Sequence, residues 1–286
     1  MKDRNSKNGK NVTYAGIVLA GLVFTSAPAT GASSVCITES YKDAILSFTV
    51  PGRITRIHHR AGAVVSSGDV IVDLENRVET LEVERRRLIW EDKSDLKAAE
   101  AQRKTFRELL AATQGLYEST GSVSREELSR AELEFNSADA EYNRLLISEQ
   151  REKVEYQLAE ASLAQRSLKA PFNGTVVEVA QDEGEISEAY EPIVQIVDVS
   201  QGFLVCNVEE ATGRDLLTGD ELSFEIPKGS ETLSGQALVE YVSPVVDSAS
   251  GLLKVRLRFD NEAGQIRPGV PGYVTLPEQR VTMTGG

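Results

Sequence analysis

The 286-residue sequence is poor in cysteine, histidine and aromatic residues. It holds two cysteines, two histidines and one tryptophan, and only 6% of its residues are aromatic. The cysteines, Cys36 and Cys206, form no Cys-x-x-Cys motif, which argues against a zinc site or a thioredoxin-like redox site. The adjacent His58 and His59 point to opposite faces of a predicted strand and cannot readily chelate one ion together. We therefore predict no metal, no cofactor and no catalytic site, and conclude that the chain is not an enzyme.

Positive charge is also scarce. The chain has 31 Lys and Arg against 44 Asp and Glu, a formal net charge of −13. Nucleic-acid binding needs clustered basic residues to neutralise phosphates, so this composition excludes nucleic acid as a general partner.

Only the N-terminus contains a long hydrophobic run. Basic residues precede an apolar stretch over residues 12–24, and small residues such as Ala27 and Ala29 follow it. A membrane-spanning helix needs about 20 apolar residues, and this stretch is shorter. The pattern predicts a secretory signal peptide over residues 1–32. We favour a cleaved signal over an uncleaved anchor, which remains the alternative.

The middle of the chain lacks helix breakers. Residues 75–116 contain no proline and a single glycine, Gly115, and residues 124–168 contain neither residue type. Both segments are rich in strong helix formers, and Ser124 with Glu127 matches a capping box. The segments are nearly equal in length, which predicts an antiparallel helical hairpin over residues 75–167 with its tip at about 117–124.

Heptad-like spacing predicts which residues face inward in the hairpin. In the second arm these are Leu128, Ala131, Phe135, Ala138, Tyr142, Leu145, Glu149, Glu152, Tyr156, Ala159 and Leu163. Glu149 and Glu152 interrupt the apolar pattern and mark a weak stretch. The first arm has a looser apolar stripe through Val78, Leu81, Leu88, Leu96, Ala99, Phe106 and Leu110.

Two segments on either side of the hairpin resemble each other. When residues 50–74 are placed over 172–196 without a gap, Gly52 falls on Gly174 and Gly62 on Gly184, and apolar positions stay in phase. Each segment alternates apolar and polar residues, as short strands do, and we assign the four glycines to tight turns. A half with so few strands needs a partner face. Residues 44–74 and 168–198 are therefore predicted to close into one β-sandwich.

The C-terminal third alternates apolar and polar residues between glycine turns, which predicts a small antiparallel β-barrel over residues 199–279. Residues 33–43 are predicted to add an N-terminal strand near this barrel, and residues 280–286 form a tail. Cys36 and Cys206 would both lie in strands at the same end of the molecule. An exported chain would permit a disulfide between them, although two unpaired buried thiols remain the alternative.

Three motifs resemble the periplasmic adaptor family, also called membrane fusion proteins. The first is Phe48-Thr49-Val50-Pro51-Gly52-Arg53-Ile54 with the turn at residues 61–71. The second is Leu168-Lys169-Ala170-Pro171-Phe172-Asn173-Gly174-Thr175-Val176. The third runs from Val242 through residues 254–261 to Ile266-Arg267-Pro268-Gly269-Val270. The resemblance implies an elongated α+β protein: a split lipoyl-like β-sandwich with an inserted coiled-coil hairpin, followed by a β-barrel.

The same resemblance implies a function. The chain would be a periplasmic subunit associated with the inner membrane. It would link an inner-membrane transporter, of the resistance-nodulation-division or ABC type, to the outer envelope for efflux or secretion. The partners would include an outer-membrane channel and further copies of the chain in a hexameric ring. The alternative is a scaffold for polysaccharide or protein export that does not dock a trimeric channel.

The hairpin tip is the candidate docking site. We assign to it Leu116, Tyr117, Gly121, Ser122, Val123, Ser124 and Arg125. Family members that dock outer-membrane channels carry Arg-x3-Leu-x6-Ser around this turn. Alignment on Ser124 places Thr113 and Tyr117 at the Arg and Leu positions, so only the serine matches, and the outer partner is left open.

Overall fold

The structure is a computed structural model that describes residues 33–277. The predicted signal peptide at residues 1–32 and the predicted tail at 280–286 lie outside the described residues. From residue 33 onward the chain builds a β-barrel, a β-sandwich and a long helical hairpin.

The two halves of the repeat form one sandwich. The first half supplies β2 (Gly52–Ile57), β3 (Val64–Val65) and β4 (Val70–Leu74), and the second supplies β5 (Ser167–Lys169), β6 (Gly174–Val179), β7 (Ile186–Ser187) and the start of β8 (Val194–Glu209). Strands are exchanged between halves, since β2 pairs with β7 and β3 pairs with β6. One core joins both halves; it consists of Phe48, Ile54, Ile57, Val65, Ile71, Val72, Leu74, Leu168, Ala170, Val176, Ile193, Val194 and Ile196.

The four repeat glycines serve two different purposes. Gly62 and Gly184 have φ values of 89° and 95°, which is the conformation that favours glycine in a turn. Gly52 and Gly174 instead begin β2 and β6, so their assignment to tight turns was wrong. A Cβ on Gly174 would lie 2.5 Å from the carbonyl oxygen of Val197. Close approach of neighbouring backbone explains glycine at that position.

The barrel closes through the N-terminal strand. Its strands are β1 (Ser33–Leu46), β8, β9 (Glu221–Lys228), β10 (Glu231–Val246), β11 (Leu252–Asp260) and β12 (Pro271–Thr275), with the short α4 (Glu210–Gly213) between β8 and β9. The order is β1-β12-β9-β10-β11-β8, and pairing of β1 with β8 completes the ring.

Two strands pass from the barrel into the sandwich without a break. β1 pairs with β8 from Cys36 opposite Cys206 to Leu46 opposite Val194, with one irregularity between Ser40 and Lys42. The predicted module boundaries at residues 43/44 and 198/199 therefore fall inside strands. The alternating pattern predicted strands here but not that single strands serve both modules.

The hairpin has a broken first arm and an unbroken second arm. The first arm consists of α1 (Arg77–Glu91) and α2 (Ser94–Thr120), and the second is α3 (Arg125–Ala164). The prediction of one continuous first helix was wrong. Asp92 adopts an extended conformation, and its carboxylate accepts the N–H of Ser94. Such local side-chain bonds compete with helix hydrogen bonds, and they explain a break without proline or glycine.

We call α1 with residues 145–164 of α3 the proximal half of the hairpin, and α2 with residues 125–144 the distal half. The inward positions predicted for α3 are all buried or half-buried. The stripe predicted for the first arm holds for Leu96, Ala99, Phe106 and Leu110, which face inward in α2. It was wrong for α1, where Val78, Leu81 and Leu88 are exposed.

Candidate functional site

The hairpin tip is a short, well-capped turn that presents apolar side chains. Gly121, with φ 62°, caps the C-terminus of α2, and Ser124 caps the N-terminus of α3. The Ser124 hydroxyl accepts the Glu127 N–H, and the Glu127 carboxylate accepts the Ser124 N–H at 2.8 Å, which completes the predicted capping box. These bonds hold the pKa of Glu127 below its usual value. Capping thus accounts for Ser124 without a partner.

Beside this turn, Leu116 and Tyr117 are exposed at the end of α2. A shallow groove of about 220 Å³ lies between the arms one turn below, and Thr113, Val123 and Glu127 contribute to its lining. Thr113 is uncharged and donates its hydroxyl to the Leu109 carbonyl, so it does not supply the cationic group of the motif arginine. The tip therefore offers a small apolar surface in place of the Arg and Leu of the family motif.

The structure brings Cys36 and Cys206 together. They are directly opposite in the β1–β8 ladder, with Cα atoms 4.2 Å apart, and are joined as a disulfide across 170 residues of chain. Both side chains are at most 1% exposed in the barrel core. The bond ties the N-terminal strand to the barrel.

His58 lies at the edge of the sandwich, where it bonds to a carboxylate. Its Nε2 is 2.8 Å from Asp73 Oδ2, and the Ser167 hydroxyl donates to Asp73 Oδ1 at 2.6 Å. Because the aspartate lies between the other two residues, the histidine does not contact the serine hydroxyl and cannot activate it as a nucleophile. The three residues tie β4 to β5 and to the end of β2.

Residues 33–277 contain no group of three or more His, Cys, Asp and Glu residues arranged to hold a metal ion. Within the same range, no helix combines the length and the hydropathy needed to cross a membrane.

The interior of the proximal half is rich in charge. The inward side chains of α1 are Glu79, Glu82, Val83, Arg86 and Trp90. Arg86 bonds both Glu82 of its own helix and Glu155 of α3. Hydrogen bonds from Arg85 and Arg86 lower the pKa of Glu82 to about 2. Arg166 pairs with Glu79 at 2.7 Å.

A mixed polar and aromatic layer lies at the break in the first arm. Lys93 pairs with Glu149 at 2.7 Å, and the Trp90 indole N–H donates to the same carboxylate. These two bonds, the one from Lys93 first, lower the pKa of Glu149. Trp90 stacks on Tyr156 with ring centroids 5.3 Å apart. Glu149 and Glu152 interrupt the apolar pattern of the second arm. They lie beside the break in the first arm.

The exterior of the proximal half is rich in aliphatic side chains. These exposed residues are Val78 (76%), Leu81 (62%), Leu88 (58%), Ile89 (41%), Ile147 (59%), Val154 (62%) and Leu158 (67%). The sequence analysis missed this surface because it assigned apolar heptad positions to the interior. The sequence did contain a signal for this arrangement. Four charged residues of the first arm also recur at helical spacing, and they lie in the seam: Glu79, Glu82, Arg86 and Lys93.

Comparison with known proteins supports the fold. Residues 203–280 match the family model of the CusB-like β-barrel domain. MacA from Actinobacillus actinomycetemcomitans is similar in structure, with a TM-score of 0.62 and 18% identity over 87% of this chain and 79% of that chain. The membrane fusion protein Spr0693 from Streptococcus pneumoniae R6 gives a TM-score of 0.54 and 14% identity over 86% of this chain and 98% of that chain. The predicted modular α+β fold is confirmed.

Among curated proteins, the multidrug resistance protein MdtN of Escherichia coli O6:H1 is 24% identical over 134 residues, which is 41% of this chain and 39% of that protein. The chain spans half or less of the length of the first curated relatives that it matches.

Proposed function

Starting from the confirmed resemblance of this chain to the membrane fusion protein family, we propose that it is a non-enzymatic periplasmic adaptor. It links an inner-membrane transporter to the outer envelope for efflux or secretion. The observation that carries the proposal is the hairpin inserted into the split sandwich. α3 has 40 residues, so the hairpin extends the molecule by about 60 Å at 1.5 Å per residue. A projection of this length suits a protein that connects two distant partners.

The proposed partners follow from the ends of the molecule. The barrel and β1 rest on a transporter of the resistance-nodulation-division or ABC type, and the tip contacts an outer component. Several copies, in a hexameric ring, enclose the path of the cargo. MdtN is named as a multidrug resistance protein, which supports efflux as the process served. The protein resides in the periplasm at the inner membrane after cleavage of its signal peptide.

The second candidate function is a scaffold for polysaccharide or protein export. Thr113 occupies the place of the motif arginine, and its hydroxyl is bonded within its own helix. Because this tip departs from the channel-docking pattern, it favours an outer partner other than the usual trimeric channel.

Truncation of the hairpin tests the role of the projection. Arg103 and Asp139 pair across the arms at 2.6 Å, so residues 100 and 140 stand at nearly equal heights. Replacing residues 100–140 with a short Gly/Ser loop should leave a folded barrel and sandwich by circular dichroism. We expect this variant to lose export, measured as drug and dye susceptibility and as secreted polymer or protein.

A matched control distinguishes the effect of hairpin length from the effect of losing the tip. Deleting one heptad from each arm, residues 104–110 and 132–138, shortens the hairpin by about 10 Å and keeps the tip intact. Export by the truncated but folded variant would contradict the proposed function. Crosslinking and purification of the native complex then distinguishes a pump from a polymer exporter.

A further inference from the structure

A cavity of about 510 Å³ opens at the end of the barrel that faces the sandwich. It lies between the turn that joins β9 to β10 and the connection from β11 to β12, residues 261–270. β1 pairs with β12 as far as Ile37 and continues from there into the sandwich, so this end of the barrel is the one beside the sandwich. Protein sites for small molecules have volumes of about 300–1,000 Å³, and the cavity falls in this range.

The floor of the cavity is apolar. Ile226 is buried in the barrel core, and Leu233, directly opposite it in the β9–β10 ladder, is half-buried on the same face. Ile266 and Val270 complete the floor and pack against the barrel core from above. An aliphatic group that enters the cavity would therefore leave water and contact a surface that is continuous with the core, which is favourable in proportion to its length.

The rim of the cavity carries two cations, Lys228 and Arg267, and both are exposed. Lys228 continues the inward row of Phe224 and Ile226 along β9, so it lies at the mouth of the barrel. Neither cation forms an ion pair with another of residues 33–277. Glu231 is opposite Lys228 in the ladder, but no carboxylate of the described residues lines the cavity. In a chain with 44 acidic and 31 basic residues, such a rim favours an anion.

The wall formed by residues 261–270 is held in place by two buried polar side chains. The amide of Asn261 donates to the carbonyl oxygens of Val199 and Ile266 at 2.9 and 2.8 Å. The hydroxyl of Thr38 accepts the Val270 N–H at 2.9 Å. Because these bonds tie the connection to β1 and β8, the cavity is preformed, and a ligand would not have to order a loop in order to bind.

We propose that this cavity binds a small amphipathic anion, an aliphatic carboxylate of the medium-chain fatty acid class. The hydrocarbon chain lies on the floor formed by Ile226, Leu233 and Val270, and the carboxylate lies at the rim with Lys228 and Arg267. A short anion would leave the apolar floor in water, and a neutral chain would leave the two cations without a counter-charge. The inference goes beyond the proposed adaptor function and does not depend on it.

Calorimetric titration of the purified protein with decanoate, below its micelle concentration, tests the site. We expect saturable binding of one molecule per chain. Octanoate, which lacks two methylene groups, should bind about tenfold more weakly, and acetate should not bind. Decyltrimethylammonium has a chain of the same length and the opposite charge, so equal binding of this cation would overturn the proposal. Absence of saturable decanoate binding would also overturn it.

Substitution of the rim tests the two cations. Lys228→Gln and Arg267→Gln should each weaken decanoate binding by about fivefold, or about 1 kcal/mol, the size of an exposed ion pair. Both side chains are exposed, so the unfolding temperature should not change. The matched control is Lys254→Gln, an exposed lysine of β11 that lies opposite Asn207, away from the cavity. It should bind decanoate as the wild-type chain does, and an equal loss in the control would refute a role for the rim.

Methyl NMR of the wild-type protein locates the ligand without any substitution. Decanoate should shift the methyl signals of Leu233 and Val270, which line the cavity. The signal of Ile71, buried in the sandwich core, should stay in place. Saturable binding that leaves the two barrel signals unchanged would put the ligand elsewhere and overturn the proposal. Binding to anionic lipid vesicles without binding of monomeric decanoate would show a surface contact and would have the same consequence.

Discussion

The proximal and distal halves of the hairpin share one α3 helix but are stabilised in different ways. In the distal half, Ala99, Ala131 and Ala138 are buried in the seam, beside Phe106 and Phe135. In the proximal half, charged groups occupy much of the seam and aliphatic groups face outward. The same heptad spacing therefore places small and aromatic side chains in the distal seam and many charged side chains in the proximal seam.

The largest expected effect comes from removing the disulfide. This change lies in the barrel, away from both halves of the hairpin, so it serves as a control on the comparison. Replacing both cysteines with serine removes a bond across 170 residues. The chain-entropy model gives a loss of about 5 kcal/mol for such a loop. We expect the barrel to unfold at lower temperature in calorimetry while the difference between the hairpin halves persists. The wild-type chain, unfolded without reductant, should show no thiol labelled by maleimide; labelling of both cysteines would refute the disulfide.

Truncation of one apolar side chain in each half tests the comparison directly. Phe135→Ala in the distal seam should destabilise the hairpin by about 2 kcal/mol, less than a fully buried phenylalanine because Phe135 is half-buried. Leu88→Ala on the proximal exterior should change stability by less than about 0.5 kcal/mol. Native-state hydrogen exchange of the hairpin amides in the isolated chain measures both. Equal effects would remove the distinction between the halves.

Acidification should affect the proximal half through its carboxylates. The pKa of Glu82 is lowered to about 2, and that of Glu149 is also lowered from the usual 4.5. Both ion pairs therefore stabilise the fold fully above pH 4.5 and lose this contribution as pH falls through the lowered pKa values. Trp90 is the sole tryptophan of the chain and donates to Glu149, so its fluorescence should change as the pH falls below 4.5.

The matched variant for this titration is Glu149→Gln, which keeps an acceptor for the indole N–H but cannot titrate. Its Trp90 signal should be flatter over the same range, while far-UV circular dichroism reports any general unfolding. If the fluorescence of this variant titrates as in the wild-type chain, the change does not come from the Lys93–Glu149 layer.

Much of the fold could be predicted because its signals are local. The glycines and alternating apolar residues near 50–74 and 172–196 locate the sandwich, and Ser124 with Glu127 locates the start of α3. The break at Asp92 was not predictable from helix breakers, since the Asp92 carboxylate, bonded to the Ser94 N–H, takes the place of proline or glycine there. The roles of Gly52 and Gly174 depend on backbone from distant residues such as Val197, which no local pattern records.

The two exposed apolar surfaces of the hairpin also differ in whether the sequence predicted them. The tip was located from loop residues and a capping motif, and its partner remains a proposal. The exposed aliphatic surface of the proximal half was missed because apolar heptad positions were assumed to be buried in the seam of a lone chain. That assumption fails where Val78, Leu81 and Leu88 stand outside a charged seam.

The long strands β1 and β8 give the molecule a stiff joint. Both run from the barrel into the sandwich as one paired ribbon, and the sole irregularity in their pairing lies between Ser40 and Lys42. No loose tether separates the two modules, so a tilt imposed on the barrel turns the sandwich with it. We expect bending to concentrate at that irregularity and at the interrupted first arm beside Asp92, so that these two places determine how far a movement at one end reaches the other.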